Sequence, residues 1–100
     1  MKVQTNLPYV HKYIRDEFNN PVGVLIGVKQ DGKILYGWSL CHQKTKTMPR
    51  EPFSREMGIT IAYGRAVSKR KHLVPKGRIA PSDMLNFINM CEAKAERGTF

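Results

Sequence analysis

Val22-Gly23-Val24-Leu25-Ile26-Gly27-Val28-Lys29-Gln30-Asp31-Gly32-Lys33-Ile34-Leu35-Tyr36-Gly37-Trp38-Ser39-Leu40-Cys41 decides how this chain folds. Two runs rich in apolar, β-branched and aromatic residues flank Asp31-Gly32. A two-residue turn of type I′ needs positive φ at both central positions, and Asp-Gly between such runs is the strongest short-range hairpin signal. Pairing Gln30 with Lys33 fixes the register. Side chains alternate across a strand, so Val24, Ile26, Val28, Leu35, Gly37 and Ser39 fall on one face. Leu25, Gly27, Lys29, Ile34, Tyr36 and Trp38 fall on the other. Both faces are partly apolar. One therefore needs a cover of helices, and the face bearing Tyr36 and Trp38 is an intermolecular interface or the floor of a second layer.

Working outward, Tyr9 to Asp16 fits either a strand or a helix starting at Pro8. The strand is preferred, because Glu17-Phe18-Asn19-Asn20-Pro21 reads as a turn leading straight into Val22. Downstream, Ser54 can cap a helix through its hydroxyl, with Glu56 in the first turn complementing the helix dipole. This helix is expected to run to about Lys71. Phe53, Met57, Ile61 and Gly64 line one side of it, the side expected against the sheet. Gly58, Ala62 and Ala66 form a small-residue stripe beside it, for close approach to the sheet or to a second copy of the chain. After a loop punctuated by Pro75, Gly77 and Pro81, Ser82-Asp83 starts a second helix ending near Gly98. Its apolar stripe is Met84, Leu85, Phe87, Ile88, Cys91 and Ala95. The expected fold is α+β, a three-stranded antiparallel meander packed against two α-helices.

The 100 residues form a single small domain, 1–100, with room for one modest core. With 41% hydrophobic and 25% charged residues, the chain has the composition of an ordinary globular protein. Its longest apolar run, Pro21 to Val28, is far short of the ~20 residues of a membrane span. Met1 to Asn6 lacks the layout of a signal peptide, so a cytoplasmic location without membrane contact is expected. Cys41 and Cys91 have no CxxC partner and read as small buried apolar groups.

The net charge of +9 is unevenly spread. Between residues 44 and 78, Lys44, Lys46, Arg50, Arg55, Arg65, Lys69, Arg70, Lys71, Lys76 and Arg78 face only Glu51 and Glu56. Solubility does not require such segregation, and it concentrates positive potential wherever that segment lies. A solvated basic loop without a specific role would look the same in sequence.

Catalytic chemistry has little support. His11, His42, His72, Cys41 and Cys91 show no metal-ligand spacing, and the adjacent Cys41 and His42 would point to opposite faces of a strand. The carboxylates fall mostly in turns and first helical turns, where capping accounts for them. No glycine loop sits between a strand and a helix to cradle phosphate. The expectation is a binding protein, not an enzyme, without metal or cofactor.

Pro21-Val22-Gly23-Val24-Leu25, Gly37-Trp38-Ser39-Leu40-Cys41 and the run from Phe53 to Ala66, in this order, resemble a group of small accessory proteins encoded by tailed bacteriophages. The resemblance covers roughly residues 14–70. It departs at Gln43–Glu51, where the group's short Asn-Pro-Lys-Asp link gives way to a longer basic stretch. No activity is assigned to that group, so the resemblance implies a phage accessory protein in a bacterial cytoplasm and supplies no catalytic residues.

The partner expected is a polyanion, foremost nucleic acid bound through its phosphates by Lys44, Lys46, Arg50, Arg65, Lys69, Arg70, Lys71, Lys76 and Arg78. Tyr36, Trp38 and Tyr63 are candidate stacking residues. Arg65 and Lys69, four apart on one helix face, would present two cations about 6 Å apart. The alternatives are a host-takeover inhibitor docking on an acidic bacterial protein, or a homodimer sequestering a small phosphorylated ligand.

Overall fold

The computed structural model describes residues 6–41, 53–68 and 79–100. Strands β1 (Tyr9–Arg15), β2 (Pro21–Gln30) and β3 (Lys33–Leu40) precede helices α1 (Arg55–Val67) and α2 (Pro81–Glu96). The strands form one antiparallel sheet in the order β1-β2-β3, so the fold is α+β with a three-stranded meander and two helices.

The hairpin pairs as expected, with Gln30 opposite Lys33, Val28 opposite Leu35 and Ile26 opposite Gly37. Asp31 and Gly32 have φ of 52° and 77°, the pair of positive values a type I′ turn requires. Gly32→Val should lower stability by about 1–3 kcal/mol, because a β-branched residue resists the left-handed region. Thermal melting checks this; an unchanged melting temperature would contradict it. At the other end of β2, Asp16 holds the β1–β2 turn. Its carboxylate accepts from the backbone N–H groups of Phe18 at 3.0 Å and Asn20 at 2.9 Å.

Both faces of the central strand are covered, by one helix each. Val24, Ile26 and Val28 meet Ile59, Ala62, Tyr63 and Ala66 of α1. On the opposite face Leu25 meets Ile79, Phe87 and Cys91, with Ile34, Tyr36 and Trp38 packed around them. The Tyr36 face is thus the floor of a second layer beneath α2. Burial on both sides explains why β2 reads as a nearly continuous apolar run.

Helix α1 begins as its sequence indicates, with the Ser54 hydroxyl accepting from the Met57 N–H at 3.3 Å. Two expectations for it are overturned. Its small-residue stripe packs on the sheet, one of the two roles expected of it, but the Met57 and Ile61 side does not: Met57 and Ile61 are 56% and 40% exposed, while Ala62 is fully buried. The cause is Gly37, across from Ile26 on β3. A Cβ there would strike the Ala62 carbonyl oxygen and lie 2.7 Å from the Ala66 nitrogen, so α1 rests backbone-close on β3 where only small side chains fit. The helix also ends early, at Val67, with Ser68 extended at φ −69° and ψ 143°. The small-residue stripe and the Tyr36–Trp38 face, which suggested a homodimer, are both used within one chain.

Helix α2 starts one residue before the expected Ser82. Pro81 occupies its first turn, where the missing N–H costs nothing, and no side chain caps it. Phe87 and Cys91 anchor it and Leu85 points outward, 58% exposed. No helix among the described residues is long and apolar enough to cross a membrane.

Candidate nucleic-acid interface

Four of the expected contact residues lie in the described body, and the fold engages each of them. Tyr63 is 2% exposed, and its hydroxyl accepts from the Leu7 N–H at 3.2 Å. It therefore offers no ring face to a base. Tyr36 meets Phe87 edge-on at 6.3 Å between centroids, and its hydroxyl is enclosed. Burial, and then the neighbouring Cys91 and Glu92, push its phenol up to about 12. Trp38 carries the Arg65 guanidinium over its ring, 4.1 Å from the centroid.

Arg65 is spent on the same contact. Its Nη1 donates to the Trp38 carbonyl oxygen at 3.0 Å. Trp38 points its ring to the α2 face while Arg65 comes from α1, so the arginine wraps the outer edge of β3. It is a strap between the two layers, not an outward phosphate anchor. The helical spacing that would set Lys69 one turn beyond it stops at Val67. The remaining eight candidates, Lys44, Lys46, Arg50, Lys69, Arg70, Lys71, Lys76 and Arg78, lie outside the described residues.

Charge is partitioned sharply along the same division. Within the described residues, Lys12, Arg15, Lys29, Lys33, Arg55, Arg65, Lys94 and Arg97 are nearly balanced by Asp16, Glu17, Asp31, Glu56, Asp83, Glu92 and Glu96. The other nine cations face Glu51 alone, and all but Lys2 belong to residues 42–52 and 69–78. One of these segments leads into α1 and the other leads out of it. Thirteen residues at 1.5 Å each set the two points of attachment about 20 Å apart.

A second group of residues was not singled out from the sequence. Tyr9, His11 and Tyr13 recur at every second position of β1 and so share one face of the sheet, with Arg15 next beyond them, past a register shift after Ile14. Their partners on β2 include Val28, Ile26 and Val24, which places the row on the α1 side. Helix α1 lies mainly over β3 and β2, so the row runs along its flank on an edge strand. Ring centroids are 6.2 Å apart for Tyr9 and His11 and 5.4 Å apart for His11 and Tyr13. Tyr63 and Phe53 brace the two tyrosines edge-on from α1 and its approach. The Arg15 guanidinium lies 5.8 Å from the Tyr13 ring centroid. The signal was there in the Tyr-x-His-x-Tyr-x-Arg alternation, which becomes meaningful once this stretch is assigned as a strand.

His11 is held below its ordinary 6.5, first by burial and then by the charge of Arg55. Above pH 6.5 the imidazole is neutral in both folded and unfolded chains. As pH falls through 6.5 the unfolded chain takes up the proton first, so the contribution of this group to stability is lost on acidification. An NMR titration should place the His11 midpoint below 6.5, and a midpoint at or above that value would contradict the geometry.

Among the described residues no group of three or more His, Cys, Asp or Glu side chains is placed to hold a metal ion. Burial raises the Cys91 thiol to about 11, which keeps it protonated as an apolar core group. No known protein family, curated protein or solved structure matches this chain.

Proposed function

We propose that this protein is a small accessory protein that binds nucleic acid through phosphate contacts made by the cations of residues 42–52 and 69–78. The observation that supports this reading is the charge partition. A nearly neutral body carries almost all of the excess positive charge on two segments joined to opposite ends of one helix. A span of about 20 Å between attachment points suits an extended polyanion better than a compact one, since phosphates of a single strand recur every few ångströms. Phosphate contacts of this kind fix position and strength without reading sequence, so weak sequence preference follows. The resemblance to tailed-phage accessory proteins is what supports the cytoplasm of an infected bacterium as the setting of this proposed binding.

The test is a mobility-shift titration at low salt with mixed-sequence DNA and RNA, beside a pull-down from nuclease-treated bacterial lysate. Retarded nucleic acid supports the reading. No shift with either polymer, together with a stoichiometric acidic protein in the pull-down, would replace it with the host-takeover inhibitor.

A further inference from the structure

We infer that the row formed by Tyr9, His11 and Tyr13, with Arg15 and Arg55 beside it, is a stacking platform that gives the protein a preference for single-stranded over duplex nucleic acid. This inference rests on the nucleic-acid reading and adds to it a site and a substrate class.

Three observations carry it. The row is built on a strand, where residues two apart stand about 6.5–7 Å from each other along the chain. That spacing lies close to the phosphate repeat of an extended single strand, whose unstacked bases meet the part of the ring surface that the row leaves exposed. The rings are also held in place. Tyr9 packs on Tyr63 at 6.1 Å and Tyr13 on Phe53 at 5.7 Å, both edge-on, so the platform is preorganised by the core. Neither helix sits squarely over the row, and Tyr9, His11 and Tyr13 remain half-buried, not enclosed.

The third observation is charge. Arg15 is exposed at one end of the row, and Arg55 is exposed at the start of α1, directly after the Phe53-Ser54 approach whose Phe53 ring packs on Tyr13. Two cations beside an aromatic row match the sugar-phosphate chain of a strand whose bases lie on the rings. Duplex DNA cannot use the rings, because its bases already stack on one another. Asp16, Glu17 and Glu56 adjoin these arginines in sequence and Asp83 lines the groove beside Lys12 and Arg15, so the charge contribution is modest and the rings carry the preference.

The experiment compares a short fluorescein-labelled oligothymidylate with a duplex of equal length, by anisotropy, on the wild type and on His11→Ala and Arg15→Gln. Wild type should favour the single strand. His11→Ala should weaken single-strand binding by about five- to a hundredfold, the loss of one base stack, and leave duplex binding unchanged. Arg15→Gln should weaken it less and make its salt dependence shallower. Amide chemical shifts of the wild type with oligothymidylate give a second readout independent of any variant's folding. They should move most at Tyr9 to Arg15. Equal binding of both forms, or shifts that spare β1, or an unaltered His11→Ala, would overturn the platform while the nucleic-acid reading stands. Absence of binding to either form would overturn both.

Discussion

Gly37→Ala is expected to destabilise the protein by about 3 kcal/mol or more, and Gly37→Val to leave it unfolded. The clash begins with the first carbon. A Cβ at this position would overlap the Ala62 carbonyl oxygen, lie 2.7 Å from the Ala66 nitrogen and 3.0 Å from the Ala66 Cβ. Two of these three neighbours are backbone, so no rotamer change relieves them. The only relief is to lift α1 from β3, which opens the cluster of Val24, Ile26, Ile59, Ala62, Tyr63 and Ala66. A domain of this size has a total stability near the low end of about 5–15 kcal/mol, and lifting a whole helix takes much of it. Urea denaturation followed by circular dichroism measures the effect. An alanine variant with an unchanged midpoint would show that α1 does not rest on β3 at this point.

Changing Lys69, Arg70 and Lys71 together to glutamine is expected to weaken nucleic-acid binding steeply while leaving the fold intact. Helix α1 ends at Val67, so the three follow its last turn in sequence. Each phosphate contact contributes about 0.9 to the slope of log K against log salt on duplex DNA, so three lost contacts make the slope shallower by about two to three units. The loss should be largest at low salt and fade as salt rises, because counterion release is the quantity removed. A variant that binds as tightly as wild type at low salt would place the contacts elsewhere.

How much of this was legible in the chain varies by element. The hairpin was, because Asp31-Gly32 admits few backbone solutions and a strand's period of two assigns every side chain to a face once one pair is fixed. The Ser54 start of α1 was legible for the same local reason. The buried side of α1 was legible only in its small-residue stripe, and the Met57 and Ile61 side was wrongly added to it. Helical periodicity registers apolar bulk, and Met57 and Ile61 are the bulky residues. What decides the facing side is how close the helix approaches the sheet, and that distance is set by Gly37, twenty-five residues before Ala62. Tyr36 and Trp38 looked like exposed stacking residues because nothing in their own strand shows that α2 returns to cover one and that Arg65 takes the ring of the other. The Tyr9 to Arg15 row was hidden differently. Its alternation was visible, but it fits an amphipathic strand flank as well as a platform until the position of α1, mainly over β3 and β2, leaves that flank half-buried.

The most direct measurement is the binding constant of the wild type for duplex DNA across a series of salt concentrations. Five phosphate contacts from the two basic segments predict a straight line of log K against log salt with a slope of roughly −4 to −5. A slope near zero, or no measurable binding at the lowest salt, would contradict the account.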